Sequence, residues 1–314
     1  MAFGYQVLGF GSAPVTAAGV EFLWGGDRAV VVGGYHGAGG LTSVDEMEYF
    51  AISTTGNAVD FGDLSSIRSS GPGASSNGSR GIVGGGTGAT DIIEYWTFAS
   101  LGDVVDFGDL SAGRTYASST GGNGTRGIWA GGGGPGASGE VDIIEYVNIA
   151  STGNTTDFGD LVGANRKAGA GCNSDTRMLI CGGDNPAMNI IEYITMATTG
   201  NSIDFGDLTT TRDQMPGAFS NTTRGVIAGD GAVSDTIDYV TIASLGNATD
   251  FGDLTVTRGY LAPASNNTRG TWSGGEAGTK YDIIEYVTIA TTGNSTDFGD
   301  LTRFKYGGHA TSGD

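Results

Sequence analysis

Apolar residues fall in short runs along this chain, and each run is bounded by glycine, asparagine or threonine. In segments such as RGIVGGG and DIIEYWTF the runs are rich in isoleucine, valine, tyrosine and phenylalanine. Short β-branched and aromatic runs between turn residues are typical of buried β-strands rather than of helices. The pattern therefore predicts an all-β protein.

The runs recur in one order and with a nearly constant period. The motif DFGDL begins at Asp60, Asp106, Asp157, Asp204, Asp250 and Asp297. The spacings are 46, 51, 47, 46 and 47 residues, which is the length of a propeller blade or of a long solenoid repeat. The copies share one order: an asparagine-rich turn, an arginine, an apolar run, a glycine doublet, a loop, IIEY, a TGN turn and DFGDL. The TGN turn is LGD in the second copy and LGN in the fifth.

Each copy is predicted to contain four strands. The TGN turn supplies residues that tolerate positive φ, so the segments IIEYVTIA and TDFGDL are predicted to form a hairpin. The apolar run and a small-residue segment before it add two more strands. Such sheets bury both faces only against their neighbours. The sequence predicts one six-bladed β-propeller over residues 27–314, with repeats at about 27–78, 79–124, 125–175, 176–222, 223–267 and 268–314.

The small-residue segments also indicate how the ring closes. GPGASSNG, YASSTGGN and LAPASNN suit inner strands that crowd around an axis, and the C-terminal YGGHATSGD matches them. The C-terminus is therefore predicted to supply the inner strand of the first blade. The rival is GVEFLWGGD at residues 19–27, whose Phe22, Leu23 and Trp24 are bulky for the axis.

Closure by the C-terminus leaves residues 1–26 as an N-terminal arm. The arm is rich in glycine and aromatic residues and carries almost no charge. Two roles stay open: it seals the first or sixth blade, or it docks on another subunit of a homo-oligomer. The candidate docking residues are Phe3, Tyr5, Phe10, Phe22 and Trp24.

Composition narrows the possible partners. The chain of 314 residues has 34 acidic and 15 basic residues, for a formal net charge of −19. That charge repels nucleic acids and anionic membranes, so neither is an expected partner. No apolar stretch is long enough to span a membrane, and the segment MAFGYQVLGFGSAPV lacks the cationic start of a signal peptide. Synthesis in a cytoplasm without membrane insertion is expected.

The two cysteines are predicted to be free and buried. Centring their hairpin on residues 173–176 places Cys181 opposite residue 168. Cys172 would then lie several residue pairs away, which is too far for a disulfide. A metal site is not expected either, since the two histidines, His36 and His309, are distant in sequence and no CxxC is present.

Most charged residues occupy repeated positions, which favours structural roles. Twelve of the 15 basic residues form two sets, one after each asparagine turn and one after each DFGDL. The second set is predicted to form a structural cation ring: Arg68, Arg114, Arg166, Arg212, Arg258 and Lys305. These cations are expected to form inter-blade ion pairs with the repeated carboxylates, which are also expected to accept hydrogen bonds from the N–H groups of turns.

The repeated carboxylates raise two chemical possibilities, calcium binding and catalysis. The GNxxDFGD turn offers oxygen ligands for calcium at Asn154, Asp157 and Asp160, but its spacing matches neither an EF-hand nor a glycine-rich calcium repeat. No cofactor is therefore predicted. The chain shows no catalytic triad, GxSxG, HExxH or phosphate loop, and its carboxylates recur in every blade. An enzyme is not expected.

The loops between the second and third strands differ most among the copies. A four-stranded meander places them at one end of the ring, with the connections between blades, and places the nearly constant asparagine and TGN turns at the other. The variable end is the candidate ligand or partner face, although loops also drift when nothing constrains them. Its candidate residues are Tyr35, His36, Tyr116, Lys167, Asn185, Tyr260, Lys280, Tyr281 and Tyr306.

The blade pattern resembles that of kelch repeats. In the second copy the shared features are Gly84 and Gly85 after the second strand, Tyr95, Phe107 and Arg114. This chain departs from the kelch pattern in having phenylalanine in place of the usual fourth-strand tryptophan and Gly229-Asp230 in place of a glycine doublet. The resemblance implies that the variable loops form the ligand face.

The glycine-rich, lysine-poor, acidic repeats also resemble virion proteins of tailed phages from marine hosts. This resemblance implies a non-enzymatic tail, fibre or capsid-surface protein that binds another virion subunit or a host-surface glycan. Rigid blades would hold the loops in place, so that little entropy is lost on binding. The alternatives are a cellular kelch-type protein-interaction scaffold and, third, a carbohydrate-active enzyme.

Overall fold

The computed structural model describes residues 25–37, 42–117, 120–134, 139–162, 169–184, 186–213, 215–230 and 234–314. Some predicted residues lie outside these ranges: Phe3, Tyr5, Phe10, Phe22, Trp24, Arg166, Lys167 and Asn185. All regular structure in the described ranges is β-strand. They contain no helix of sufficient length and apolar character to cross a membrane.

The strands form six four-stranded antiparallel sheets in a ring, which confirms the predicted six-bladed β-propeller. Blade 1 contains β1 (Arg28–Val32), β4 (Glu46–Ala51) and β5 (Val59–Asp63), with β2 (Tyr35–His36) and β3 (Thr42–Ser43) as a small hairpin. Blade 2 contains β6 (Gly73–Ser76), β7 (Arg80–Gly84), β8 (Ile92–Thr97) and β9 (Val105–Asp109). Blade 3 contains β10 (Thr120–Gly122), β11 (Arg126–Ala130), β12 (Ile143–Asn148) and β13 (Thr156–Asp160).

Blades 4 to 6 follow the same order. Blade 4 contains β14 (Ala170–Asn173), β15 (Arg177–Cys181), β16 (Met188–Thr195) and β17 (Ile203–Arg212). Blade 5 contains β18 (Gly217–Ser220), β19 (Arg224–Asp230), β20 (Ser234–Thr241) and β21 (Thr249–Asp253). Blade 6 contains β22 (Ala262–Ser265), β23 (Arg269–Ser273), β24 (Ile283–Thr288) and β25 (Thr296–Asp300), and the chain ends with β26 (His309–Gly313).

Strand β26 closes the ring as the inner strand of blade 1. It pairs antiparallel with β1 over five residues, from Arg28 opposite Gly313 to Val32 opposite His309. The prediction that the C-terminus completes the first blade is confirmed, because β26 occupies the inner position. Blade 1 is therefore assembled from the two ends of the propeller sequence.

A belt of side-chain hydrogen bonds joins the inner strands around the axis. Its members are the last polar residues of five inner strands, and each donates to a backbone carbonyl of the neighbouring blade. The bonds are Ser76 Oγ to Ser312 (2.7 Å), Ser312 Oγ to Ser265 (2.5 Å), Ser265 Oγ to Ser220 (2.9 Å), Ser220 Oγ to Asn173 (2.6 Å) and Asn173 Nδ2 to Gly122 (2.7 Å). Gly122 occupies the sixth position. Small residues predominate among the inner strands, which surround an axial cavity of about 60 Å³.

The hydrophobic core is divided among six seams between neighbouring blades. Along β1, for example, Ala29 and Val31 pack toward blade 6, whereas Val30 and Val32 pack toward blade 2. The phenylalanine and leucine of every DFGDL motif are buried in these seams. Because the second strand of a blade is buried on both faces, its sequence is continuously apolar instead of alternating.

The DFGDL and TGN motifs are the two halves of one contact between blades. The N–H of Gly102, in the turn of blade 2, donates to the carbonyl oxygen of Phe61 in blade 1 at 2.9 Å. The same contact recurs at every seam, with the TGN glycine of one blade placed against the DFGDL glycine of the blade before it. Each blade therefore contributes to two seams, one through its TGN turn and one through its DFGDL motif.

Replacing a DFGDL glycine by alanine is expected to destabilise the fold more than replacing its TGN partner. Gly252 and Gly293 have φ values of 150° and 154°, so alanine is strained at both positions. A Cβ on Gly252 would lie 2.5 Å from the carbonyl of Gly293, whereas the space beside Gly293 is open. We expect Gly293→Ala to cost about 1–2 kcal/mol and Gly252→Ala about 1–3 kcal/mol more. Urea unfolding curves measure both, and equal losses would contradict the seam contact.

The two cysteines are free and buried, as predicted, but their predicted register was wrong. Cys181 lies opposite Ala170, not opposite residue 168. Asn173 belongs to strand β14 and to the axial belt, so the turn starts one residue later, where Ser174 Oγ accepts the N–H of Arg177 at 3.2 Å. The shift brings the two thiols into contact. The hydrogen bond between Cys172 and Cys181, together with burial, raises the pKa of Cys172 well above its usual value.

Candidate ligand-binding site

The two ends of the ring differ in the connections that they carry. One end, here called the variable face, carries the loops between the second and third strands of each blade and the connections from one blade to the next. The other end, the uniform face, carries the asparagine turns and the TGN turns. Loop and connection are hydrogen-bonded on the variable face; for example, the N–H of Gly86 donates to the carbonyl oxygen of Arg114 at 2.7 Å.

The cations after DFGDL are buried beneath the variable face. Each described member pairs with the third-strand acid of the following blade: Arg68 with Glu94 (2.7 Å), Arg114 with Glu145, Arg212 with Asp238 (2.8 Å), Arg258 with Glu285 (3.0 Å) and Lys305 with Glu48 (3.2 Å). Burial lowers the pKa values of Arg68, Arg114 and Arg258. These side chains hold neighbouring blades together and are not exposed to a soluble anion.

The second set of arginines lies near the uniform face and also joins blades. Arg80, for example, stacks on Tyr95 with its guanidinium carbon 4.3 Å from the ring centroid. Its Nη1 donates to the carbonyl oxygen of Ile149 in the next blade at 2.9 Å.

In each TGN-type turn the asparagine or aspartate side chain accepts a backbone N–H of the preceding blade. Asn154 Oδ1, considered above as a calcium ligand, accepts the N–H of Asp109 at 3.2 Å.

Three predicted tyrosines meet on the variable face, beside the axis. The ring centroids of Tyr35 and Tyr306 are 5.2 Å apart, and those of Tyr260 and Tyr306 are 5.9 Å apart in an edge-to-face arrangement. Tyr116 is close enough to Tyr260 to influence its pKa. We call Tyr35, Tyr116, Tyr260 and Tyr306 the tyrosine cluster. These residues come from four different parts of the chain.

The backbone of the connections between blades positions this cluster. Each described connection turns into its inner strand through a left-handed residue: Ser70 (φ 55°), Tyr116 (53°), Met215 (54°), Tyr260 (57°) and Gly307 (66°). The connections are hydrogen-bonded to one another around the axis, as where the N–H of Tyr116 donates to the carbonyl oxygen of Ser70 at 2.6 Å. Bulky residues rarely adopt this conformation, and such strain is concentrated at functional sites.

Polar groups surround the aromatic rings. Tyr35 Oη lies 2.6 Å from Ser70 Oγ. Lys280 Nζ lies 5.2 Å from the centroid of Tyr306 and donates to the carbonyl oxygen of Gly37 at 3.0 Å. The carboxylates of Asp184, Asp213 and Glu276 lie within electrostatic range of Tyr260.

The environment raises the pKa values of two phenols in the cluster, those of Tyr260 and Tyr306. Burial, followed by the nearby Tyr116, Glu276, Asp213 and Asp184, raises the pKa of Tyr260 to about 12. Burial, followed by Glu276, Tyr35 and Tyr260, raises the pKa of Tyr306 to about 12. Both hydroxyls are therefore hydrogen-bond donors at physiological pH, and the nearby carboxylates are acceptors. Aromatic faces beside such donors and acceptors suit a neutral polyhydroxylated ligand better than an anion.

The remaining predicted residues have varied positions. His36 is half-buried in β2, and Tyr281 is half-buried in the loop of blade 6, where its N–H donates to Gly275 at 3.0 Å. Lys167 and Asn185 lie outside the described residues. The sequence reasoning missed Asp184, Asp213 and Glu276. These three acids could have been found in the sequence, because they lie outside the repeated acidic positions and the blade architecture does not require them.

No protein-family model matches the chain, and no curated protein matches it in sequence. The fold and the site nevertheless define a class of protein. The molecule is a six-bladed β-propeller closed by its C-terminal strand. Its face of variable loops carries a cluster of tyrosines and carboxylates at one end of the axis.

Proposed function

We propose that the protein is a non-enzymatic attachment protein of a phage particle that binds a neutral host-surface glycan on its variable face. The tyrosine cluster carries this proposal. Tyr35 and Tyr260, which are half-buried and pack against the buried Tyr306, offer ring faces for the apolar face of a sugar. The protonated phenol of Tyr260 and the nearby carboxylates offer a donor and acceptors for its hydroxyls. The net charge of −19 disfavours acidic glycans, so the ligand is a neutral one.

The rigidity of the fold supports binding through preformed contacts. The connections that carry Tyr116 and Tyr260 are hydrogen-bonded to their neighbours around the axis and start strands of the inner ring. A ligand therefore does not have to order these residues, and less entropy is lost on binding. The resemblance of the repeats to kelch blades and to phage virion proteins suggests the setting. In that setting, the blades hold a recognition surface at the outside of a particle.

Replacing Tyr260 by alanine is expected to weaken glycan binding. The change removes a ring face and a phenolic donor from the centre of the cluster, and we expect Kd to rise about tenfold. Tyr260→Phe keeps the ring and loses only the hydroxyl, so it is expected to have a smaller effect. A glycan array with the full chain identifies the ligand, and calorimetric titration then measures Kd for each variant.

The control is Thr292→Ala, which changes an exposed residue on the uniform face and should leave Kd unchanged. Thermal melting of each variant separates loss of binding from loss of fold. Binding of no neutral glycan, or equal Kd values for the intact chain and Tyr260→Ala, would contradict the proposed site. Mass spectrometry of purified particles tests the setting, and absence of the chain from them would contradict a virion role.

A further inference from the structure

The N-terminal segment joins the propeller on the uniform face, at a fixed position. Asp27 accepts hydrogen bonds from the N–H of Ser53 at 2.8 Å and from Asn266 Nδ2 at 3.2 Å, and its own N–H donates to Asp314 Oδ1 at 2.7 Å. Gly26 lies so close to Gly313 and Asp314 that a Cβ would not fit. The last residues of the arm therefore start from a defined point beside the seam of blades 1 and 2.

A cavity of about 360 Å³ lies at this point, between blades 1 and 2. Its lining residues are Asp27, Arg28, Tyr49, Ala51, Ala99 and Asp314. Arg28 stacks on Tyr49, 4.9 Å from the ring centroid, and also donates to the carbonyl oxygen of Phe98 in blade 2. The cavity thus offers an aromatic face, a guanidinium and two methyl groups directly beside the first residue of the propeller.

Among the six seams, this one alone has apolar residues at all three of the following exposed-edge positions. At the position of Ala51 the other blades have Thr97, Asn148, Thr195, Thr241 and Thr288. Val59 and Leu101 are exposed to 49% and 57%. Threonine occupies the position of Val59 in three blades and the position of Leu101 in four. Val59 pairs with Tyr49, and the turn that contains Leu101 runs along β5. We call the cavity, Val59 and Leu101 the blade 1–2 groove.

The arm has the composition to fill this groove. Residues 1–24 contain five aromatic residues besides Val and Leu residues, and Glu21 is their one charged side chain. Trp24 precedes Asp27 by three residues, and an extended chain spans about 3.3 Å per residue, so Phe22 and Trp24 can reach the cavity without strain. We propose that residues 1–24 dock along the blade 1–2 groove of the same molecule, with Phe22 and Trp24 covering Tyr49, Ala51, Val59 and Leu101.

Docking of the arm would make it a clamp at the closure of the ring. The groove adjoins β1 and the end of β26, the two strands that come from opposite ends of the propeller sequence. An arm that covers blades 1 and 2 there adds contacts across the seam beside the closure. This function is independent of the tyrosine cluster, which lies on the opposite face.

Hydrogen–deuterium exchange of the full chain tests the proposal. We expect the amides of residues 20–24 to exchange at least about tenfold more slowly than in an unstructured peptide. The triple variant Ala51→Thr, Val59→Thr, Leu101→Thr should remove this protection. It should still fold, because threonine occupies each of these positions in other blades.

The matched control is the double variant Ile203→Thr, Leu245→Thr. It removes the corresponding exposed apolar pair at the seam of blades 4 and 5, far from the arm, and should leave residues 20–24 protected. Free exchange of residues 20–24 in the intact chain, protection that survives the triple variant, or equal loss in both variants would overturn the proposal. Protection that disappears on dilution would also overturn it, because the arm would then occupy another copy. Glycan binding should stay unchanged throughout.

Discussion

Deleting residues 309–314 is expected to abolish the native fold. The deletion removes β26, which pairs with β1 over five residues and supplies Ser312 to the axial belt. It leaves the inner edge of β1 unpaired and exposes the seams on both sides of blade 1. A domain is typically stable by only about 5–15 kcal/mol, and loss of a whole inner strand exceeds that reserve. Circular dichroism and thermal melting should show no cooperative unfolding transition.

A rearranged chain supplies the control for this deletion. Asp314 and Asp27 are in contact, since the N–H of Asp27 donates to Asp314 Oδ1 at 2.7 Å. Residues 306–314 can therefore be moved to precede residue 27, where β26 and β1 become a hairpin. We expect this variant to melt cooperatively like the intact propeller. A truncated chain that still melts cooperatively, or a rearranged chain that does not, would contradict closure by β26.

Breaking one buried ion pair from one side is expected to cost about 3–5 kcal/mol of unfolding free energy. Arg258 and Glu285 are both fully buried and 3.0 Å apart. Burial is the largest influence on both, raising the pKa of Glu285 and lowering that of Arg258. Either Arg258→Met or Glu285→Leu alone leaves an unpaired charge in a seam. The double variant removes both charges and is expected to be as stable as the original protein or more stable by about 1–4 kcal/mol.

Urea unfolding of the two single variants and of the double variant gives the coupling energy of the pair. The double variant is a clean reference, because Thr255 N–H, which donates to Glu285 at 3.0 Å, also reaches Ser295 Oγ at 3.2 Å. If the two single costs simply add up in the double variant, the pair is not the seam contact described here. The double variant also shows whether the ion pair stabilises the fold. If the uncharged seam is as stable as the original one, the remaining role of the repeated ion pairs is to fix how neighbouring blades align.

The fold could be predicted because its physical requirements are repeated in the sequence. Each DFGDL glycine contacts a TGN glycine of the next blade, so a change in either motif disturbs a seam. The same residues are therefore required in all six copies, and the repeat can be recognised in the sequence. Closure could also be predicted, because small residues predominate around the axis and the segment after Gly307 has them. The register of Cys181 could not be predicted. Asparagine is common in turns, but Asn173 lies in strand β14 and its side chain belongs to the axial belt. The sequence does not distinguish these two positions for one asparagine.

The site could be predicted only in part. Tyr35, Tyr116, Tyr260 and Tyr306 stand out as aromatic residues in segments that vary among the copies. Their meeting beside the axis depends on left-handed residues in the connections, and no simple pattern marks a tyrosine that adopts that conformation. The acids near Tyr260 were missed because single carboxylates in loops are common on an acidic surface. Only the three-dimensional arrangement shows which of them lie near enough to Tyr260 to raise its pKa.

The contact between Asp27 and Asp314 determines from which face the propeller can be attached to a larger assembly. Both ends of the propeller leave it on the uniform face, side by side. Any stalk, shell or further polypeptide attached through either end therefore lies beneath that face. The opposite face, which carries the tyrosine cluster, would then point away from that attachment. Attachment through either end and the proposed glycan binding would therefore use different surfaces.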